Sequence, residues 1–108
     1  MNISKPTAAT KRAFNSLPKH IQERFAKALQ DIIEGRTPLI KSKMLKNLDK
    51  SVKGVKELII NGSPAYRVVY VVKNGGTLHL LHAFTKTTNG VDKPAMEVVV
   101  KRYKEIKT

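Results

Sequence analysis

The chain is 108 residues long, carries a formal net charge of +13 and contains no cysteine. That length sets a single domain, residues 1–108, with one core, and the missing thiols exclude disulfides, thiolate–zinc sites and a cysteine nucleophile. The charge excess, 21 Lys and Arg against 8 Asp and Glu, points to a polyanionic partner such as nucleic acid, an anionic membrane surface or an acidic protein. No apolar run approaches the roughly 18 residues of a spanning helix, and Met1 to Thr10 lacks the apolar stretch of a secretory signal. The expectation is a soluble cytoplasmic protein with no membrane partner.

Ile3 suggests a short first strand. Residues 7–34 read as helix, with 7–14 as a separate short segment. Leu17, Ile21, Phe25, Ala28, Leu29 and Ile32 recur every three or four positions and form one apolar face. Pro18 sits in the opening turn, where its missing N–H does no harm. Ser16 or Asn15 is the expected cap, and Gly35 is the stop. Residues 36–56 carry seven Lys or Arg and one acid, Asp49. With only Leu39, Met44, Leu45 and Leu48 as anchors, this stretch reads as an irregular basic segment.

Three strand signals follow. Val55–Ile60 is aliphatic and β-branched, and Asn61-Gly62-Ser63-Pro64 turns the chain. Tyr66–Val72 is β-branched and aromatic. Asn74-Gly75 is the pair a tight hairpin turn prefers, and Thr77–Lys86 is the last strand. Pro94–Ile106 reads as a helix with Met96, Val99, Val100, Tyr103 and Ile106 on one face. The predicted fold is α+β: two N-terminal helices, an antiparallel sheet of three to four strands and a C-terminal helix, with the helices on one face. The other face is left as a floor for a ligand. Alternation places Arg67, Val69 and Val71 together, and Leu78, Leu80, His82, Phe84 and Lys86 together.

Arg67 stands mid-strand among apolar residues, where a guanidinium must be paired or face a wet cleft. No acid lies two positions away in its own strand. Its planar fork matches two phosphate oxygens, so it is the candidate phosphate clamp. Lys86 closes the last strand beside Thr85, Thr87 and Thr88, and hydroxyls next to an ammonium suit phosphate contacts. His82, between Leu81 and Phe84, reads first as a half-buried structural residue and second as an acid–base group. His79 and His20 read as ordinary half-exposed side chains. Three scattered histidines without an acidic cluster make no metal site, and no cofactor motif occurs.

The lysine run 41, 43, 46, 50, 53 and 56 is the strongest compositional signal. Lys101, Arg102, Lys104 and Lys107 form a second cluster, partly explained by the helix dipole. The expected RNA contacts are Lys43, Lys46, Lys50, Lys53, Lys56, Lys101 and Arg102. Aromatic residues that could stack on bases are few: Tyr66, Tyr70 and Tyr103. Basic and phenolic groups suit metal-independent phosphodiester cleavage, in which the ribose 2′-hydroxyl is the nucleophile, a lysine, histidine or tyrosine moves protons, and arginine neutralises the phosphorane. DNA lacks that hydroxyl, so such chemistry selects RNA. The candidate catalytic set is Arg67, Lys86, His82 and Tyr103.

Four blocks of the sequence, Gly54-Val55-Lys56-Glu57-Leu58, Tyr66-Arg67-Val68-Val69-Tyr70, Leu80-Leu81-His82-Ala83-Phe84-Thr85-Lys86-Thr87, and a basic helix opened by Pro94, together resemble the RelE/ParE toxin superfamily. Within it they are most similar to the HigB-like, phage-derived branch. The resemblance spans roughly residues 20–106. It implies a microbial-RNase-like fold and a toxin of a type II toxin–antitoxin pair that cuts mRNA in the ribosomal A site without a metal ion. It also implies a HigA-like helix-turn-helix antitoxin, with operator DNA bound only through the complex of the two. The family's strand arginine falls on Arg67, its post-strand lysine on Lys86, the neighbouring aromatic on Phe84, and the basic residue before Glu-Leu on Lys56. Departures occur at Ile59 and Thr87, where the family carries cations, and at Ala83, where it carries glycine.

Three functions follow as expectations. The first is a ribosome-dependent mRNA endonuclease. The second is a ParE-type poison of DNA gyrase, which shares the fold and cuts no RNA. The third is a non-catalytic basic RNA-binding module.

Overall fold

The computed structural model describes residues 2–4, 6–46, 48–73, 75–87 and 90–106. The elements, in chain order, are β1 (Asn2–Ile3), α1 (Ala8–Asn15), α2 (Lys19–Ile33), β2 (Lys41–Met44), β3 (Val55–Ile60), β4 (Ala65–Lys73), β5 (Thr77–Lys86) and α3 (Lys93–Lys104). They build the α+β fold expected from the sequence. The sheet order is β1-β5-β4-β3-β2. Strands β2 to β5 are antiparallel neighbours, and two-residue β1 adds in parallel to β5. Among the described residues no helix is long and apolar enough to cross a membrane.

The helical stretch breaks at Ser16–Pro18 for local reasons. Thr7 caps α1, its side chain accepting from the Thr10 N–H. Ser16 ends α1 instead of starting α2, its hydroxyl donating to the Ala13 carbonyl at 2.6 Å. Pro18 itself occupies the N-cap of α2 without a side-chain hydrogen bond, so neither Ser16 nor Asn15 caps that helix. At the far end Gly35 takes φ +79°, and Arg36 N–H reaches back to the Asp31 carbonyl at 2.7 Å. This left-handed close satisfies carbonyls that the helix end leaves open, and it favours glycine.

The expected single-faced arrangement is corrected. Leu17 and the α2 side chains Ile21, Phe25, Ala28 and Leu29 pack with Leu58, Ile60, Val68, Tyr70, Leu78 and Ala83. Val99 of α3 packs with Val55, Val69, Val71 and Leu81. Strand alternation puts these two sets on opposite faces of the sheet, so α2 covers one face and α3 the other. The signal for this was present in β4, whose residues 68–71 are all buried, as a strand covered on both sides requires. The face left for a ligand is therefore the part of the α3 side that α3 does not reach.

The basic segment is also corrected. Lys41–Met44 is a strand, paired antiparallel with β3 in the register Lys43↔Glu57. All four of its side chains are exposed, so no apolar alternation marks it; its strand character comes from the backbone pairing alone. Two of the four residues are lysine, a common guard of open sheet edges.

A bulge between Val69 and Tyr70 shifts the register of β4 against β5. Val69 opposes His82, but Tyr70 opposes Leu80. Leu81 is the extra residue. The uniform alternation read from the sequence for β5 is thus broken. Leu78 and Leu80 face α2, whereas His82, Phe84 and Lys86 face the side of α3. The turn glycine Gly75 adopts φ +77°; its expected partner Asn74 lies outside the described residues, as do Thr88 and Lys107.

Candidate functional site

Arg67 is centred in the sheet on β4. Directly opposite it are Ile59 on β3 and Phe84 on β5. Ile59 fills one of the positions where a cation was expected from the resemblance, and it is buried. The neutralising acid comes from the next strand: Glu57 Oε1 lies 3.5 Å from Arg67 Nε, with side-chain exposures of 7% and 12%. A second contact, Arg67 Nη1 donating to the Tyr66 carbonyl at 3.2 Å, fixes the guanidinium further. Glu57 opposes Val69, and Lys86 opposes Ala65. Glu57, Arg67 and Lys86 therefore lie on one diagonal of the sheet, with Arg67 in the middle. Each diagonal step is about 7–8 Å between backbones.

These three residues form the floor of a groove of about 1330 Å³. One lip is β2 and the loop after it, with Lys43, Met44, Leu45, Lys46, Leu48 and Asp49; the other is α3 with Lys93, Met96, Glu97, Val100, Lys101 and Lys104. Seven Lys and Arg line it against four carboxylates. Three of those carboxylates are engaged. Asp49 pairs with Lys104, Asp92 caps α3 through the Ala95 N–H, and Glu57 meets Arg67. Burial pushes the Glu57 carboxyl up from the usual range, while the charges of Arg67, Lys43 and Lys86 pull it down.

A family model described as "Phage derived protein Gp49-like (DUF891)" matches residues 12–104. The chain belongs to this Gp49-like family. The family is RelE-like and associated with toxin–antitoxin systems. None of the curated proteins matches the chain. The matched span runs from within α1 to the end of α3, so every wall of the groove in this Gp49-like protein belongs to the family's domain.

The structure divides the residues singled out from the sequence. Arg67, Lys86, Lys43, Lys46 and Lys101 share the groove. Lys56 does not: it is exposed on the same side of β3 as Leu58 and Ile60, facing α2. Lys50 and Lys53 are exposed in the β2–β3 loop and do not line the groove. Arg102 points away from it, its Nη1 donating to Thr10 Oγ1 at 2.9 Å and the Leu81 carbonyl at 3.0 Å. It is a strut between α3, α1 and β5.

His82 Nδ1 lies 3.3 Å from the same Arg102 nitrogen, and its ring stacks on Phe84 with centroids 5.3 Å apart. Burial, aided by the Arg102 charge, lowers its pKa to about 4. In the Gp49-like protein the half-buried ring is held neutral at physiological pH and does not line the groove. Tyr103 is far from Arg67. Its hydroxyl meets Lys73 Nζ at 3.3 Å, and that ammonium also stands 4.4 Å above its ring. Lys73 ends β4, six residues from Arg67, which is about 20 Å along the strand. Tyr66 and Tyr70 pack in the α2 core.

Glu57 is the groove residue that sequence reasoning passed over. It was visible only as half of a Glu-Leu pair. The signal that could have found it is a cross-strand one: a lone acid in an apolar strand beside a lone arginine in the next.

Proposed function

We propose that this protein is the toxin of a toxin–antitoxin pair and that it cleaves mRNA on the ribosome without a metal ion. The observation that carries the reading is the placement of Arg67 and Lys86 on the floor of one groove whose lips hold Lys43, Lys46 and Lys101. The lip lysines hold the ribose-phosphate backbone by charge. The Arg67 fork takes two non-bridging oxygens of the scissile phosphate and neutralises the charge that grows on them as the phosphorane forms. The substrate's own 2′-hydroxyl is the nucleophile, and the products are a 2′,3′-cyclic phosphate and a 5′-hydroxyl. Lys86 stands on the far strand, where its ammonium meets the departing 5′-oxygen.

A helix-turn-helix antitoxin of the HigA type is the proposed partner. It presents acidic and apolar surface to the basic face, and operator DNA is bound by the complex. The test is expression without that partner. Growth arrest with mRNA cuts at ribosome-occupied codons, abolished by Arg67→Ala, is the expected result; arrest unchanged in Arg67→Ala removes Arg67 from the mechanism.

A second reading, a ParE-type gyrase poison, draws on Ile59 and Thr87, where cations of the resembling family are replaced. Expression that induces a DNA-damage response while mRNA stays intact selects it.

A further inference from the structure

We infer that a second cavity, separate from the groove, binds the phosphate and ribose of a nucleoside monophosphate. This site goes beyond the endonuclease reading and does not rest on it. The cavity measures about 320 Å³, at the small end of the range that ligand sites occupy. It lies between the start of the chain, β5 and the last turn of α3, and it shares no lining residue with the groove. Arg102 is its cation. Nη1 is engaged inward, on Thr10 Oγ1, the Leu81 carbonyl and His82 Nδ1, while Nε and Nη2 make no hydrogen bond among the described residues. Those two nitrogens form one edge of the planar fork, an edge that meets two phosphate oxygens in parallel. Burial lowers the Arg102 pKa, a shift that Glu105 opposes and Arg12 reinforces. A guanidinium in that setting favours an anion beside it.

His79 supplies the second, independent observation. Its Nε2 is enclosed and has no hydrogen-bond partner, although the residue lines the cavity. Buried polar atoms left in this way are few in folded proteins and call for an explanation. Burial, and then the Lys73 charge, lower the His79 pKa, so at pH 7.5 the ring is neutral and donates from one nitrogen. Ser4 is a third donor, held in place by its own N–H on the Leu78 carbonyl at 2.8 Å. The Thr7 and Thr10 hydroxyls also border the space but donate to Thr10 Oγ1 and the Leu81 carbonyl. Glu105 decides the rest of the ligand. Its exposed carboxylate repels a bare phosphate but accepts from the hydroxyls of a ribose. Leu80 and Ile106 add apolar wall for a base, without a polar group that reads the base edge.

The experiment is an NMR titration of the full chain with adenosine 5′-monophosphate at pH 7.5 and physiological salt. Saturable shifts are expected at the Arg102 Nε–H, the His79 ring and the Ser4 and Leu80 amides, with the Lys43 and Lys46 amides of the groove unmoved. Inorganic phosphate and adenosine, offered separately, are each expected to bind at least about tenfold more weakly, as the loss of one hydrogen bond to a charged group would cause. Cytidine 5′-monophosphate is expected to bind as well as the adenosine nucleotide. His79→Leu removes a nitrogen that bonds to nothing in the free protein, so it is expected to fold and to weaken nucleotide binding at least about tenfold. Arg102→Lys keeps the charge, loses the planar edge and is expected to do the same. Because Arg102 also braces α3, His79→Leu decides if Arg102→Lys fails to fold. Glu105→Gln, at an exposed position, is expected to narrow the gap between nucleotide and inorganic phosphate, and decides if neither of the others folds. Shifts confined to the groove, no saturable shift at millimolar nucleotide, phosphate binding as tight as the nucleotide, or native affinity in the variant that decides overturns the assignment. None of these outcomes bears on whether the protein cuts mRNA.

Discussion

Lys104 Nζ lies 3.1 Å from Asp49 Oδ2, so the last turn of α3 is tied to the loop after β2 across one end of the groove. The Ser51 N–H and hydroxyl also donate to Asp49. Together these contacts, the Ser51 bonds foremost, lower the Asp49 pKa to about 2. A depressed carboxyl stabilises the fold above its unfolded value and loses that contribution as the pH falls through the folded one. The tie is therefore intact at any pH well above 2. Asp49→Asn is expected to speed amide exchange in residues 45–54 several-fold while leaving the thermal midpoint nearly unchanged. Exchange measured by mass spectrometry checks this, and an unaltered loop means that the tie does not hold the lip.

The lysines divide by face. Lys43→Ala, Lys46→Ala and Lys101→Ala each remove a groove charge. Each is expected to weaken binding to single-stranded RNA and to reduce the log–log salt slope by about 0.7. Lys56→Ala, on the α2 side, leaves both unchanged. Binding isotherms at several salt concentrations test the contrast, and equal losses at Lys56 and Lys43 count against the groove as the contact surface.

His82 makes the fold pH-sensitive. Burial and the Arg102 charge hold its pKa down at about 4, so the folded protein binds that proton more weakly than the unfolded chain does. The stabilising effect is complete above about pH 6.5 and is lost as the pH falls towards 4, by about 1–2 kcal/mol once solvent screening of the half-buried ring is allowed for. His82→Gln keeps an acceptor for Arg102 without titrating. Urea midpoints at pH 7.5 and 4.5 are expected to converge in the variant relative to the native protein; an unchanged pH dependence assigns the sensitivity elsewhere.

Phe25 is fully buried in the cluster beneath α2. Phe25→Ala leaves a cavity under the helix and is expected to cost about 3–5 kcal/mol, read from chemical denaturation. A loss below about 1 kcal/mol indicates that the cluster collapses around the gap.

Most of the scaffold was legible because its signals are local. The α2 stripe from Leu17 to Ile32, the stop at Gly35 and the aliphatic runs of β3 and β4 each act within a few residues. What escaped depends on pairing between distant segments. Lys41–Met44 has no apolar side to betray it, since all four side chains face solvent, and it is a strand only because β3 offers it a backbone. Glu57 gains meaning only when β4 brings Arg67 alongside. Lys56 and Arg102 counted as cations in the sequence, but one lies on the wrong face of its strand and the other spends its donors on Thr10 and Leu81.

The irregularity at Leu81 reaches beyond local packing. A regular strand that turns Leu78 and Leu80 towards α2 would deliver every even-numbered side chain there, Lys86 included. One surplus residue inverts that parity halfway along β5, so a single strand serves the apolar interior first and the basic groove afterwards. Were β5 to pair regularly at its full length, without that irregularity, the ammonium would sit on the reverse of the sheet, with no change in composition or in the length of any loop.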